Sequence, residues 1–79
     1  MLTKNDYIGW LKAAYQYYIG TEYVMSDAEW DFKYREFYNN KDIYPAEDFP
    51  IVHDPRFDGA GSLFWLTQKE YPEDAKINP

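Results

Sequence analysis

Between residues 4 and 19 the apolar positions Ile8, Leu11, Tyr15 and Tyr18 recur at spacings of three and four, which is a helical stripe. Thr3 with Asp6 three residues on is a helix-start signal, and Gly20 is a natural stop because glycine can take the left-handed conformation past a helix end. A first helix is therefore expected over about residues 4 to 19. Gly9 inside it costs about 1 kcal/mol relative to alanine. A close helix contact would explain the glycine, and the sequence leaves that open. After the short loop "GTEYVM", Ser26 and Glu29 form a capping box that opens "DAEWDFKYREFYNN". In this second helix Trp30, Tyr34, Phe37 and Tyr38 repeat at i, i+4, i+7 and i+8, and Asn39 and Asn40 end it. The two stripes should face each other in an antiparallel helical hairpin over about residues 4 to 39.

From Lys41 the pattern changes. Pro45, Pro50 and Pro55 punctuate "KDIYPAEDFPIVHDPRFDGAG", which reads as irregular chain laid over the hairpin, with one short helical turn at "PAED" and a stub of strand at "IVH". Ser62 could cap a last short helix, "LFWLTQKE", although its run of four apolar residues is equally compatible with a strand. This wrap extends over about residues 41 to 72, and the tail "EDAKINP", 73 to 79, is expected to fray. The fold class expected is mainly α: one small domain built on a helical hairpin, with a Pro-rich irregular second half.

Composition narrows the function classes. A chain of 79 residues buries roughly 60% of its unfolded surface, so its core is thin and an enclosed active site is not expected. Cysteine is absent, which removes disulfides, thiolate chemistry and Cys-type zinc sites. The opening "MLTKNDY" carries amide and acid where a signal peptide or span needs an apolar core, so a cytoplasmic, membrane-free protein is expected. Fourteen acids against eight bases give a formal charge of −6. Duplex DNA is bound through clustered Lys and Arg, so direct duplex binding is not expected. An acidic face suits a basic surface on another protein, including one that normally holds nucleic acid. Plain solubility accounts for the same charge. Aromatics reach 22%, more than a small core needs, and Tyr23, Phe64 and Trp65 are candidates for a partner-facing surface.

The stretch "YYIGTEYVMSDAEWD", Tyr17 to Asp31, resembles the N-terminal domain Ia of bacterial NAD-dependent DNA ligases, whose hairpin carries a pattern close to Y-H/Y-x8-D-A-E-Y-D. The match covers about residues 5 to 38. Tyr17, Asp27 and Asp31 coincide with the pattern; Tyr18 stands where many members have His, and Trp30 where Tyr is usual. The resemblance implies recognition of the nicotinamide mononucleotide (NMN) half of NAD. Carboxylates and aromatic faces both attract a cationic ring, so Tyr17, Tyr18, Asp27, Trp30 and Asp31 are the implied cage. The nucleophilic lysine of the ligase Lys-x-Asp-Gly motif has no counterpart: "RFDG", Arg56 to Gly59, offers an arginine that stays protonated and cannot take AMP. The chain is thus not expected to be an enzyme or to need a cofactor, and NMN or NAD remains a candidate ligand acting with a separate adenylation domain.

Each feature has a plainer account. Asp27 and Glu29 suit any helix N-terminus, Asp31 can pair with Arg35, and Trp30, Tyr34 and Phe37 suit a hairpin core. His53 beside Asp54 has no recognisable nucleophile, and His53 with Asp54 and Asp58 makes only a thin metal site. Two functions remain. The first is a non-catalytic interaction module, of the phage-encoded regulator or inhibitor kind, that engages a host enzyme of nucleic-acid metabolism such as a polymerase, ligase or nuclease. The second is a nicotinamide-nucleotide-binding domain.

Overall fold

The computed structural model describes residues 1–20, 25–58 and 63–76. Helix α1 runs Lys4–Tyr18 and α2 runs Asp27–Asn39. Single 3-10 turns follow at Lys41–Ile43, Pro50–His53, Pro55–Phe57 and Gln68–Glu70, and a short α3 at Glu73–Lys76 closes the described chain. The architecture is mainly helical, with no strand among the described residues.

The caps follow from the sequence. The Thr3 hydroxyl accepts from the Asp6 N–H at 3.1 Å while the Asp6 carboxylate accepts from the Thr3 N–H at 2.8 Å. These bonds satisfy two donors the helix start would otherwise leave open. That interaction with Thr3 also holds the Asp6 carboxyl below its usual pKa. At α2 only half of the expected capping box forms: the Ser26 hydroxyl accepts from the Glu29 N–H at 3.2 Å, while the Glu29 carboxylate turns to Lys33 at 3.3 Å. Gly20 ends α1 in a way other than the left-handed one expected. The Ile19 and Gly20 N–H groups both donate to the Tyr15 carbonyl, and the Gly20 φ lies outside the left-handed range. A Cβ there would meet the tip of the Gln16 side chain at 2.5 Å and Gln16 main chain at 3.2 Å. Gly9 marks no close contact, since a Cβ at that position meets nothing within 4 Å.

The core is aromatic, and it fixes the hairpin direction. Tyr7 meets Phe37 at 5.8 Å, whereas Trp10, one turn later, meets Trp30 at 5.1 Å and Tyr34 at 6.2 Å, so α2 descends as α1 rises. The two tryptophans clasp. Their rings lie within 24° of parallel, the Trp10 indole N–H donates to the Trp30 carbonyl at 3.2 Å, and the Trp30 indole N–H donates to the Trp10 carbonyl at 3.1 Å. The α1 face turned to α2 therefore carries Tyr7 and Trp10, offset from the expected stripe. Ile8, Leu11 and Tyr15 of that stripe are buried or half-buried, with Tyr15 beside Tyr71 at 5.3 Å, whereas Tyr18 is exposed. α1 carries two apolar faces because it packs against both α2 and the returning C-terminal segment. Tyr38, at the end of the α2 stripe, is also exposed.

Tyrosine hydroxyls pin the irregular half to the helices. The Tyr7 hydroxyl accepts from the Ile51 N–H, the Tyr34 hydroxyl donates to the Phe57 carbonyl, and the Tyr44 hydroxyl accepts from the Leu2 N–H while donating to Glu36. Here a ring fills the core while its polar tip satisfies main chain that has no sheet or long helix to pair with. Burial pushes the Tyr7 phenol up to about 12. The expected helical turn at "PAED" is present, with the Asp48 and Phe49 N–H groups on the Pro45 carbonyl. "IVH" is a 3-10 turn rather than strand: the Val52 N–H returns to the Phe49 carbonyl and the Asp54 N–H to the Ile51 carbonyl, with Ile51 and Val52 both buried. In "LFWLTQKE" the Leu66 N–H returns to the Leu63 carbonyl and Gln68–Glu70 coils as 3-10, so neither strand nor continuous helix forms. Of the tail expected to fray, Glu73–Lys76 is helical because Ala75, fully buried against the core, seats it beside α1, and residues 77–79 lie outside the described residues.

Candidate functional site

Of the residues implied for a nicotinamide cage, Trp30 is taken into the core while Tyr17, Tyr18 and Asp27 are exposed. Tyr17 and Tyr18, at the end of α1, are 58% and 41% exposed, their rings edge to face at 5.0 Å. Asp27 is exposed at the first turn of α2. Trp30 instead turns inward onto Trp10, with its indole N–H committed to a main-chain carbonyl, and Asp31 is held by Arg35 at 2.5 Å one turn on. The candidate partner surface is divided as well. Phe64 is 71% exposed, Trp65 is half-buried against the core with the Arg56 guanidinium 4.7 Å above its ring, and Tyr23 lies outside the described residues.

The thin metal site is already occupied by protein partners. Asp54 binds Arg56, Asp58 pairs with Lys41, and the His53 Nε2 donates to the Tyr44 carbonyl. Among the described residues no group of three or more His, Asp or Glu side chains is placed to hold a metal ion, and no helix is long and apolar enough to cross a membrane.

A different feature is concave: a groove of about 460 Å³ between the first turns of α1 and the returning wrap. Tyr7 and Ile8 of α1, Pro50 and Ile51 of the second 3-10 turn, and Leu66 and Pro72 near the C-terminus supply its apolar lining. Five carboxylates and one lysine complete it: Glu47, Asp48, Asp54, Glu70 and Asp74, with Lys4.

These carboxylates fall into two sets. Asp54 and Glu70 share Arg56, which bonds Asp54 Oδ2 at 2.9 Å and reaches Glu70 through the same guanidinium nitrogen. Glu70 additionally accepts from the Thr67 N–H and hydroxyl at 2.9 Å. The Arg56 hydrogen bonds, reinforced by Thr67, hold the Glu70 carboxyl down at about 2, and Arg56 likewise depresses Asp54. Both acids are thus ionised at neutral pH and engaged within the fold. Glu47, Asp48 and Asp74 are exposed, and their side chains make no hydrogen bond or ion pair among the described residues. The groove therefore presents an apolar floor with three uncommitted carboxylates and Lys4 at its edge.

Sequence reasoning overlooked this site because its parts lie at opposite ends of the chain. One local signal was readable: "PAEDFP" holds two acids with no basic residue within four positions, so Glu47 and Asp48 had no near neighbour to neutralise them. Comparison with known proteins finds no matching family model, curated protein or solved structure.

Proposed function

We propose that this chain is a non-catalytic interaction module that captures a basic segment of another protein in the groove between α1 and the wrap. The observation that carries the reading is the pairing of an apolar floor with three carboxylates that have no counter-ion among the described residues. Charges placed this way steer a cationic partner and fix its orientation, while buried apolar side chains supply affinity. The formal charge of −6 acts in the same direction over longer range. A partner whose basic face normally holds nucleic acid fits this chemistry, so the module would act as a regulator or inhibitor of such an enzyme by occupying that face.

The nicotinamide-nucleotide reading has weaker support, because Trp30 and Asp31 are committed to Trp10 and Arg35. The test of the interaction reading uses a fluorescently labelled synthetic peptide of alternating lysine and leucine. Binding is expected, falling as salt is raised, and lost in Glu47→Gln/Asp48→Asn/Asp74→Asn but kept in Asp42→Asn, whose carboxylate lies outside the groove. Equal binding by the triple variant would refute the site. Equal binding of a peptide with glycine in place of leucine would remove the floor from the account and leave only charge.

A further inference from the structure

Lys4 is the one basic side chain lining the groove among the described residues, and it is oddly employed there. It forms no ion pair with any of the five carboxylates around it; its ammonium instead stands over the Tyr7 ring, 5.9 Å from the centroid. Tyr7 is part of the groove lining, so a cation over its ring stands against an aromatic face within a groove that five carboxylates also line. Lys4 is also the first residue of α1, where the helix dipole disfavours a positive charge, so local helix energetics do not explain it.

We infer that Lys4 is a tethered placeholder for the partner's own cation: it holds the position over Tyr7 in the free protein and must swing away when a basic segment docks. This inference rests on the groove being the binding site proposed above, and it adds a specificity element to that site. A placeholder of this kind lowers affinity for every cationic segment. Weakly charged segments then fail to displace it, and a segment carrying several Lys or Arg succeeds.

The experiment compares wild type, Lys4→Met and Lys12→Met with the lysine–leucine peptide, after circular dichroism has established that all three fold alike. Lys12 lies on α1 outside the groove lining, so its replacement changes net charge equally without touching the site. Lys4→Met is expected to bind about twofold to fivefold more tightly at low salt, the range one exposed charge interaction supplies, and Lys12→Met to match wild type. In wild type the Lys4 side-chain methylene protons should move away from ring-shielded shifts as peptide is added. Unchanged or weaker binding by Lys4→Met, equal tightening by Lys12→Met, or Lys4 resonances that stay put would each overturn the placeholder while wild-type binding leaves the groove intact. Absence of binding by all three proteins would overturn the placeholder and the groove together.

Discussion

The Trp10–Trp30 clasp should be the energetic hinge of the hairpin, and replacing either tryptophan by phenylalanine tests it. Trp30→Phe removes an indole N–H bonded at 3.1 Å to the Trp10 carbonyl and shrinks a ring stacked at 5.1 Å. The hydrogen bond contributes about 0.5–1.5 kcal/mol net, and the aromatic pair about 0.5–1.5 kcal/mol beyond its buried area. A loss of about 2 kcal/mol is expected, against a total of roughly 4–12 kcal/mol for a domain of this size. At about 4–8 °C of Tm per kcal/mol, the variant should melt about 8–16 °C lower. Trp10→Phe should cost more, about 2–3 kcal/mol, because Trp10 is fully buried and its loss leaves a cavity. Each indole holds the other in place, so the double variant should be less destabilised than the two single losses added together, by about 1–2 kcal/mol. Urea unfolding followed by far-UV circular dichroism measures all four proteins without relying on tryptophan emission. Losses that add to within about 0.5 kcal/mol would show that the two rings do not act as a unit and would refute the clasp.

Gly9→Ala should stabilise the domain by about 0.5–1 kcal/mol, because the position is helical and a Cβ there meets nothing; a lower melting temperature would contradict that. Tyr34→Phe keeps the ring, stacked at 4.4 Å on Phe57, but strips the donor from the Phe57 carbonyl; a loss of about 1–3 kcal/mol on urea unfolding is expected, and no change would show that the carbonyl is satisfied otherwise. The Glu70 carboxyl, lowered from 4.5 to about 2 by Arg56 and Thr67, should titrate near that value in carbon-detected NMR and move up in Arg56→Met. Because its folded pKa is depressed, its contribution to stability is complete above 4.5 and fades as pH falls towards about 2. A Glu70 midpoint at its ordinary value would remove the Arg56 bridge from the account. Ala75→Asp should detach α3 from α1, opening the Ala75 N–H bond to the Pro72 carbonyl to rapid hydrogen exchange, whereas unchanged protection would mean that α3 is held by other contacts.

Both long helices were legible because their signals are local. Thr3 with Asp6 and Ser26 with Glu29 mark starts within one turn, and the α2 stripe of Trp30, Tyr34 and Phe37 points directly at the core. The facing of α1 is harder to read. Tyr7, Trp10 and Ala14 form one apolar stripe and Ile8, Leu11 and Tyr15 another, and only the position of the returning C-terminal segment shows that both are used. "IVH" is ambiguous because a buried 3-10 turn and a buried strand share the same short apolar run. α3 escapes notice because four residues carry almost no helical signal of their own, and it forms where Ala75 finds a buried seat. The aromatic excess suggests a partner-facing surface, yet Tyr7, Tyr34, Tyr44 and Tyr71 are core residues, three of them bonding through their hydroxyls. The groove is the least legible feature, since Lys4 and Asp74 line it from opposite ends of the chain and no local pattern couples them.

The acidic, apolar-floored groove is proposed above as a receptor for a basic protein segment. Amide shift mapping of the labelled protein with the lysine–leucine peptide decides whether that groove is where the peptide docks. Saturable shifts are expected at Lys4, Ile8, Glu47, Asp48, Ile51 and Asp74, weakening as salt is raised, with Tyr17, Tyr18, Asp27 and Asp31 unmoved. Shifts confined to the Tyr17 to Asp31 region, or none at saturating peptide, would contradict it.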